Sequence, residues 1–183
     1  MERKKKNILE LTRYSVEEFR RLDKIPVSVL LDSVRSLNNV GSVMRTADAF
    51  RLAEVICCGI TGVPPHPELS KTALGADRSV SWRYAPDALS ECRRMQQEGW
   101  KILVLEQTAG SVGLAEYAVD ADSRLLLVLG NEVEGVDQRI VDIADTVLEI
   151  PMLGVKHSLN VAVSGGIALH HLATPHLYGS EEN

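Results

Sequence analysis

The sequence predicts an α/β fold with a mostly parallel sheet and helices on both faces. Three observations carry this expectation. Short aliphatic runs alternate along the chain with stretches of helical spacing. The runs, Arg124-Leu-Leu-Leu-Val-Leu129 above all, are apolar at consecutive positions, so a strand built from them wants cover on both faces. Gly59 and Gly130 close two of these runs, where a strand must turn toward a helix.

The elements follow in order. Ser15-Val-Glu-Glu18 is a capping box, and it predicts a short basic helix to about Lys24 that ends before Pro26. Val27–Asp32 reads as a strand. Asn39–Arg51 has helical apolar spacing (Val40, Val43, Met44, Ala47, Phe50) with Gly41 in its first turn. Glu54–Cys58 is a second strand, and the proline-rich stretch Thr61–Pro67 is a rigid loop. One or two helical turns over Leu69–Ala76 lead to a strand at Val80–Tyr84. A helix over Asp87–Glu98, stopped by Gly99, leads to a buried strand at Lys101–Leu105. Beyond the strand Arg124–Leu129, the pattern predicts a helix over Val136–Ala144, a strand over Val147–Ile150 and a long helix over Ser158–Leu172.

With 183 residues, 45% hydrophobic and 25% charged, the chain has the composition of a single globular domain. We divide it into a basic arm with a short helix (1–26), the α/β domain (27–174) and a tail (175–183). No apolar run reaches the ~18–20 residues of a membrane span, and the basic start has no apolar core behind it, so neither a membrane nor a secretory route is expected. Cys57, Cys58 and Cys92 are odd in number, and two are adjacent within an apolar run. They read as buried thiols in a reducing, cytoplasmic setting. No Cys or His spacing fits a metal. The net charge is −5, yet residues 1–24 hold eight Lys/Arg against five Asp/Glu. This makes the arm a candidate phosphate contact, with Arg35, Lys71, Arg78 and Lys156 as the competing cations; its plainer reading is a solvated terminus.

In parallel sheets, ligands bind where strands end and helices begin. Three such passages are unusually polar here: Asp32–Thr46, Gly130-Asn-Glu-Val-Glu-Gly135 and Ile150–Asn160. The second lacks the middle glycine of a dinucleotide fingerprint and the Lys-Ser/Thr of a P-loop. Its two glutamates would repel a diphosphate and would suit a cationic ligand.

These three passages resemble, in order, the motifs of the SpoU/TrmH-type family of SPOUT methyltransferases. Asn39-Val-Gly-Ser-Val-Met-Arg-Thr-Ala47 is similar to the first motif and Leu129-Gly-Asn-Glu-Val-Glu-Gly-Val136 to the second. Ile150-Pro-Met, Gly154 and Ser158-Leu-Asn-Val-Ala-Val163 are similar to the third. The resemblance spans about Val27 to Leu172. It implies an S-adenosylmethionine-dependent RNA 2′-O-ribose methyltransferase, built as a homodimer around a C-terminal trefoil knot. Some family members carry a separate N-terminal RNA-binding domain, for which residues 1–26 are too short, and this leans the expected target toward tRNA before rRNA. Nothing in periodicity shows a knot, and connections rarely thread. By motif position the resemblance implies a catalytic set of Asn39, Arg45, Glu132, Ser158 and Asn160. It places Gly130, Ile150 and Leu159 at the adenine end of the cofactor, with Leu105 and Met152 as looser members of that wall.

Each residue also has a plain structural reading. Arg45 is either the cation that stabilises a developing alkoxide or an ion pair on a helix surface; a guanidinium is a poor base. Asn39 reads as an N-cap, as an orienting amide, or both. Glu132 is either a fixing group or a free carboxylate. Ser158 is an N-cap or a cofactor contact, and Asn160 shares that choice. No cysteine stands in the motif loops, which favours ribose over carbon-5 base methylation. The rival readings are a non-catalytic RNA-binding factor on the same fold and a nucleotide-dependent α/β enzyme.

Overall fold

A computed structural model describes residues 3–5, 7 and 14–178. Helix α1 (Val16–Arg21) opens on the expected capping box: the Ser15 hydroxyl accepts from Glu18 N, and Ser15 N donates to the Glu18 carboxylate at 2.7 Å. It stops three residues before Lys24 because Leu22 already turns extended. Strand β1 (Val27–Asp32) has the predicted bounds. Helix α2 (Leu37–Ala49) begins two residues early because Ser36, not Asn39, is its N-cap, accepting from Asn39 N at 3.3 Å. Strand β2 (Val55–Cys58) leads to α3 (Pro67–Ala73) and α4 (Ala76–Ser79). Next come β3 (Trp82–Ala85), α5 (Ala88–Gln97) and β4 (Trp100–Leu105).

The two-residue strand β5 (Val112–Gly113), with the 3-10 turn Leu114–Glu116 behind it, was too short for any periodicity to announce. Strand β6 (Arg124–Leu129) again matches the sequence reading. The helix expected over Val136–Ala144 shrinks to α6 (Gln138–Val141), because Asp137 caps it and accepts from Arg139 N. After β7 (Thr146–Glu149), helix α7 runs Val161–Tyr178 rather than from Ser158. Asn160 sets that start: its side-chain oxygen accepts from Ala162 N (3.0 Å) and Val163 N (3.3 Å).

The seven strands form one sheet in the order β3-β2-β1-β6-β4-β7-β5, and every pairing is parallel. Side-chain alternation splits the core in two. Val27, Val29, Leu31, Leu125, Leu127 and Leu129 point into a layer shared with α2, α3, α4 and α7. Leu30, Ile56, Leu126 and Val128 point the other way, against α5 and α6. Both faces are therefore covered, as continuous aliphatic strands require. Gly41 is where α2 meets α3: a Cβ there would sit 2.2 Å from Thr72 Oγ1 and 2.3 Å from Leu69 O. Cys57, Cys58 and Cys92 are buried free thiols. Burial pushes Cys57 and Cys92 up to about 12, and Cys58 higher still.

Candidate functional site

All strands being parallel, their C-terminal ends share one rim, and the three polar loops rise from it. The loop after β6 is shaped by Asn131, whose side-chain oxygen accepts from Val133 N (3.0 Å) and Glu134 N (2.9 Å). Asn131 and Gly135 exchange two backbone hydrogen bonds across the turn, with Gly135 at φ +73°. The turn folds back on Gly130 so closely that a Cβ there would lie 2.1 Å from Gly135 C and 2.2 Å from Val136 N. Only glycine fits.

Beside it lies a cavity of about 600 Å³, walled by the segments after β4, β6 and β7 and by the start of α7. Gly130, Ile150 and Leu159 line it, as do Leu105 and Met152; so do Glu132, Ser158 and Asn160. Four carboxylates (Glu106, Glu132, Glu134, Glu149) face it and, among the described residues, no Lys or Arg does. Such a wall favours a cationic ligand and opposes phosphate.

Glu132 is no free carboxylate. Its Oε1 accepts from Asn39 Nδ2 at 2.8 Å and from Ser36 N at 3.3 Å, and its Oε2 accepts from Arg35 N at 3.3 Å. Partial burial pushes its pKa up. The bonds from its own backbone, Asn39, Arg35 and Ser36 outweigh this, so the net shift is downward. Asn160 Nδ2 in turn donates to Asn39 Oδ1 at 3.1 Å. Asn39, Glu132 and Asn160 thus form one chain of hydrogen bonds that ties the three loops together, and Glu132 also accepts from the amides of Arg35 and of the N-cap Ser36, just before α2. An ionised carboxylate held this way is an anchor, poorly suited to take a proton.

The expected set is not wholly assembled. Asn39 is the third residue of α2, not its cap. Ser158 lines the cavity but does not cap α7. Arg45 is exposed on α2, about 9 Å along the axis from Asn39 and about 120° round it. It lines a different groove, and among the described residues it makes no hydrogen bond or ion pair.

Sequence reasoning missed Glu106 and Gln107. Glu106 Oε2 accepts from Val136 N at 3.3 Å, bracing the glycine turn. Gln107 Nε2 donates to His157 O at 2.7 Å, joining the loop after β4 to the one after β7. Their position just past the end of β4, at the same rim, was the available signal.

The profile described as the SpoU rRNA Methylase family matches residues 26–170. The 23S rRNA (guanosine-2'-O-)-methyltransferase of Vibrio vulnificus is 32% identical over 144 residues, covering 79% of this chain and 57% of that one. The tRNA (guanosine(18)-2'-O)-methyltransferase of Thermus thermophilus is 29% identical over 160 residues, covering 87% and 80%. Among solved structures, the TrmH/SpoU tRNA modifying enzyme of A. aeolicus is similar with a TM-score of 0.78 at 27% identity, over 90% of this chain and 82% of that one. The AdoMet-bound rRNA methyltransferase of Sinorhizobium meliloti follows at 0.77 and 29%, over 90% and 62%. The chain spans about three fifths of the length of the curated rRNA relatives it matches. A profile match across the whole sheet, joined to a glycine turn and a three-loop carboxylate clasp at its rim, makes this chain a member of the SpoU rRNA methylase family.

Proposed function

We propose that the protein is an S-adenosylmethionine-dependent RNA 2′-O-ribose methyltransferase, acting on tRNA in the cytoplasm as a homodimer. The observation that carries this reading is the rim cavity: a glycine turn where no side chain fits, beside four carboxylates and, among the described residues, no cation. When bound there, S-adenosylmethionine supplies a methyl group on a cationic sulfur. Gly130, Ile150 and Leu159 would hold its adenine end by backbone groups, with Leu105 and Met152 as apolar wall. The carboxylates favour the sulfonium, and Glu132 keeps Asn39 and Asn160 in place. Arg45 would stabilise the negative charge that develops as the ribose oxygen takes the methyl and releases its proton to water, the cofactor leaving as a neutral thioether. The tRNA-modifying neighbour shares the fold over nine-tenths of this chain and four-fifths of its own, which supports reading tRNA before rRNA. The side-by-side loops after β4, β6 and β7 are those a trefoil knot would interlace, and we infer that knot here.

Within one chain Arg45 does not reach the cavity, and pairing of two copies would complete the site. Helix α7 carries an exposed apolar stripe of Val163 (53%), Ile167 (45%), Leu177 (39%) and Tyr178 (69%), with Leu159 one turn before it. A Cβ on its Gly166 would lie 4.0 Å from Oγ1 of Thr46, the neighbour of Arg45. Because that space is open within the chain, Gly166→Leu is expected to leave the protomer folded and to shift sedimentation from dimer to monomer. A variant that stays dimeric would show that α7 does not pair.

Calorimetric titration with S-adenosylmethionine, followed by mass spectrometry of nucleosides from treated unmodified tRNA and rRNA, tests the whole reading. Saturable binding and a 2′-O-methylated nucleoside are expected from tRNA. Absence of cofactor binding would leave the non-catalytic RNA-binding reading in its place.

A further inference from the structure

An acidic chain that handles RNA needs a surface where phosphate is welcome, and the cofactor cavity is the wrong one. A second groove, of about 900 Å³, runs between α1 and the layer formed by α2, α3 and α4. Three arginines from separate segments open into it: Arg45 on α2, Arg51 just past its end and Arg78 on α4. All three are exposed, and none takes part in a salt bridge among the described residues. The carboxylate lining the groove, Asp48, is occupied in part by the Ser79 hydroxyl at 3.1 Å. Unpaired arginines sharing one concavity are unusual on a chain whose 25 acidic residues outnumber its 20 Lys/Arg.

The groove is firmly built. Its α1 wall is tied to α4 by Arg20, which donates to Arg78 O, while Lys24 folds back on α1 itself, donating to Phe19 O and lying 3.8 Å over the Phe19 ring. Tyr14 stands at one edge, 54% exposed. The chain's own first thirteen residues do not suit this groove electrostatically, since they carry five Lys/Arg against two Glu. A polyanion does, and guanidinium forks match phosphate oxygens in pairs.

We propose that this groove, through Arg51 and Arg78, is the track for the phosphodiester backbone of the substrate RNA flanking the nucleotide presented to Arg45. The proposal rests on the RNA-methylating reading above. It commits to RNA over an acidic peptide, because Arg45 links the groove to the ribose chemistry.

The test uses the full chain and a fluorescein-labelled unmodified tRNA transcript, with affinity followed across a salt series. Arg51→Ala/Arg78→Ala is expected to make the slope of log K against log salt shallower by about 1.4–1.8, at about 0.7–0.9 per lost contact. KM for RNA should rise while turnover at saturating RNA and cofactor affinity hold. The Arg51→Lys/Arg78→Lys pair should restore the slope, which a structural lesion would not allow. Unchanged slope and affinity in the alanine pair, with a wild type that binds and methylates RNA, overturns the groove alone. A wild type that binds no tRNA at any salt overturns the groove and the enzymatic reading together, whereas binding without methylation counts against the enzymatic reading only. An acidic peptide that competes with RNA only when both arginines are intact would reassign the groove to protein.

Discussion

Arg45→Ala is expected to fold normally, bind S-adenosylmethionine as the wild type does, and lose roughly 10²–10³ in turnover, the scale of removing one transition-state charge stabiliser. The geometry separates these effects cleanly. Arg45 is exposed, bonded to nothing among the described residues and absent from the cofactor cavity, so its loss should disturb neither core nor cofactor. What it removes is a fixed positive charge where the ribose oxygen becomes anionic. Arg45→Lys keeps the charge but not the planar fork, and an intermediate loss is expected. Single-turnover methyl transfer under saturating cofactor and RNA reads this directly. Unchanged turnover in the alanine variant would sink the role, and a shared loss of cofactor affinity would make it structural.

Gly130→Ala should act on the other half of the site. The added carbon would approach Gly135 C to 2.1 Å, Val136 N to 2.2 Å and Gly135 O to 2.4 Å, all of them backbone. No rotamer relieves that contact, so the turn from Asn131 to Gly135 must move, carrying Glu132 with it. Overpacking of this kind costs about 1–3 kcal/mol, and a cofactor site that needs the undistorted turn would weaken by roughly 5- to 150-fold. Calorimetry measures the loss. Gly154→Ala is the control, because nothing lies within 4 Å of its Cβ; it should bind cofactor like the wild type. Equal affinities in the two variants would mean that the close turn is not part of the cofactor seat.

The two strands read with correct bounds, Val27–Asp32 and Arg124–Leu129, lie side by side at the centre of the sheet. Apart from Arg124 their residues are buried on both faces, so the apolar run and the strand coincide. Helix ends were harder, because a cap depends on which nearby polar side chain turns inward. Ser36 and Asn160 won over the plausible Asn39 and Ser158, and those choices follow from the clasp to Glu132, made by residues 93 and 121 positions apart. Glu132 could not be read as an anchor from its own neighbourhood, since its partners come from the segment Arg35–Asn39. Arg45 is the opposite case: the motif places it with Asn39, while a helix of 3.6 residues per turn points the two apart.

The three thiols mark the two layers of the molecule separately. Cys57 belongs to the core shared with α2, α3, α4 and α7; Cys58 and Cys92 belong to the one beneath α5 and α6. Protonated and shut away from water, they are beyond the reach of peroxide or alkylating reagents while the fold is closed. Their modification therefore becomes a clock for opening, with one hand on each side of the sheet. Whether the sides are unsealed together or in turn would be written in the order in which these sulfurs react.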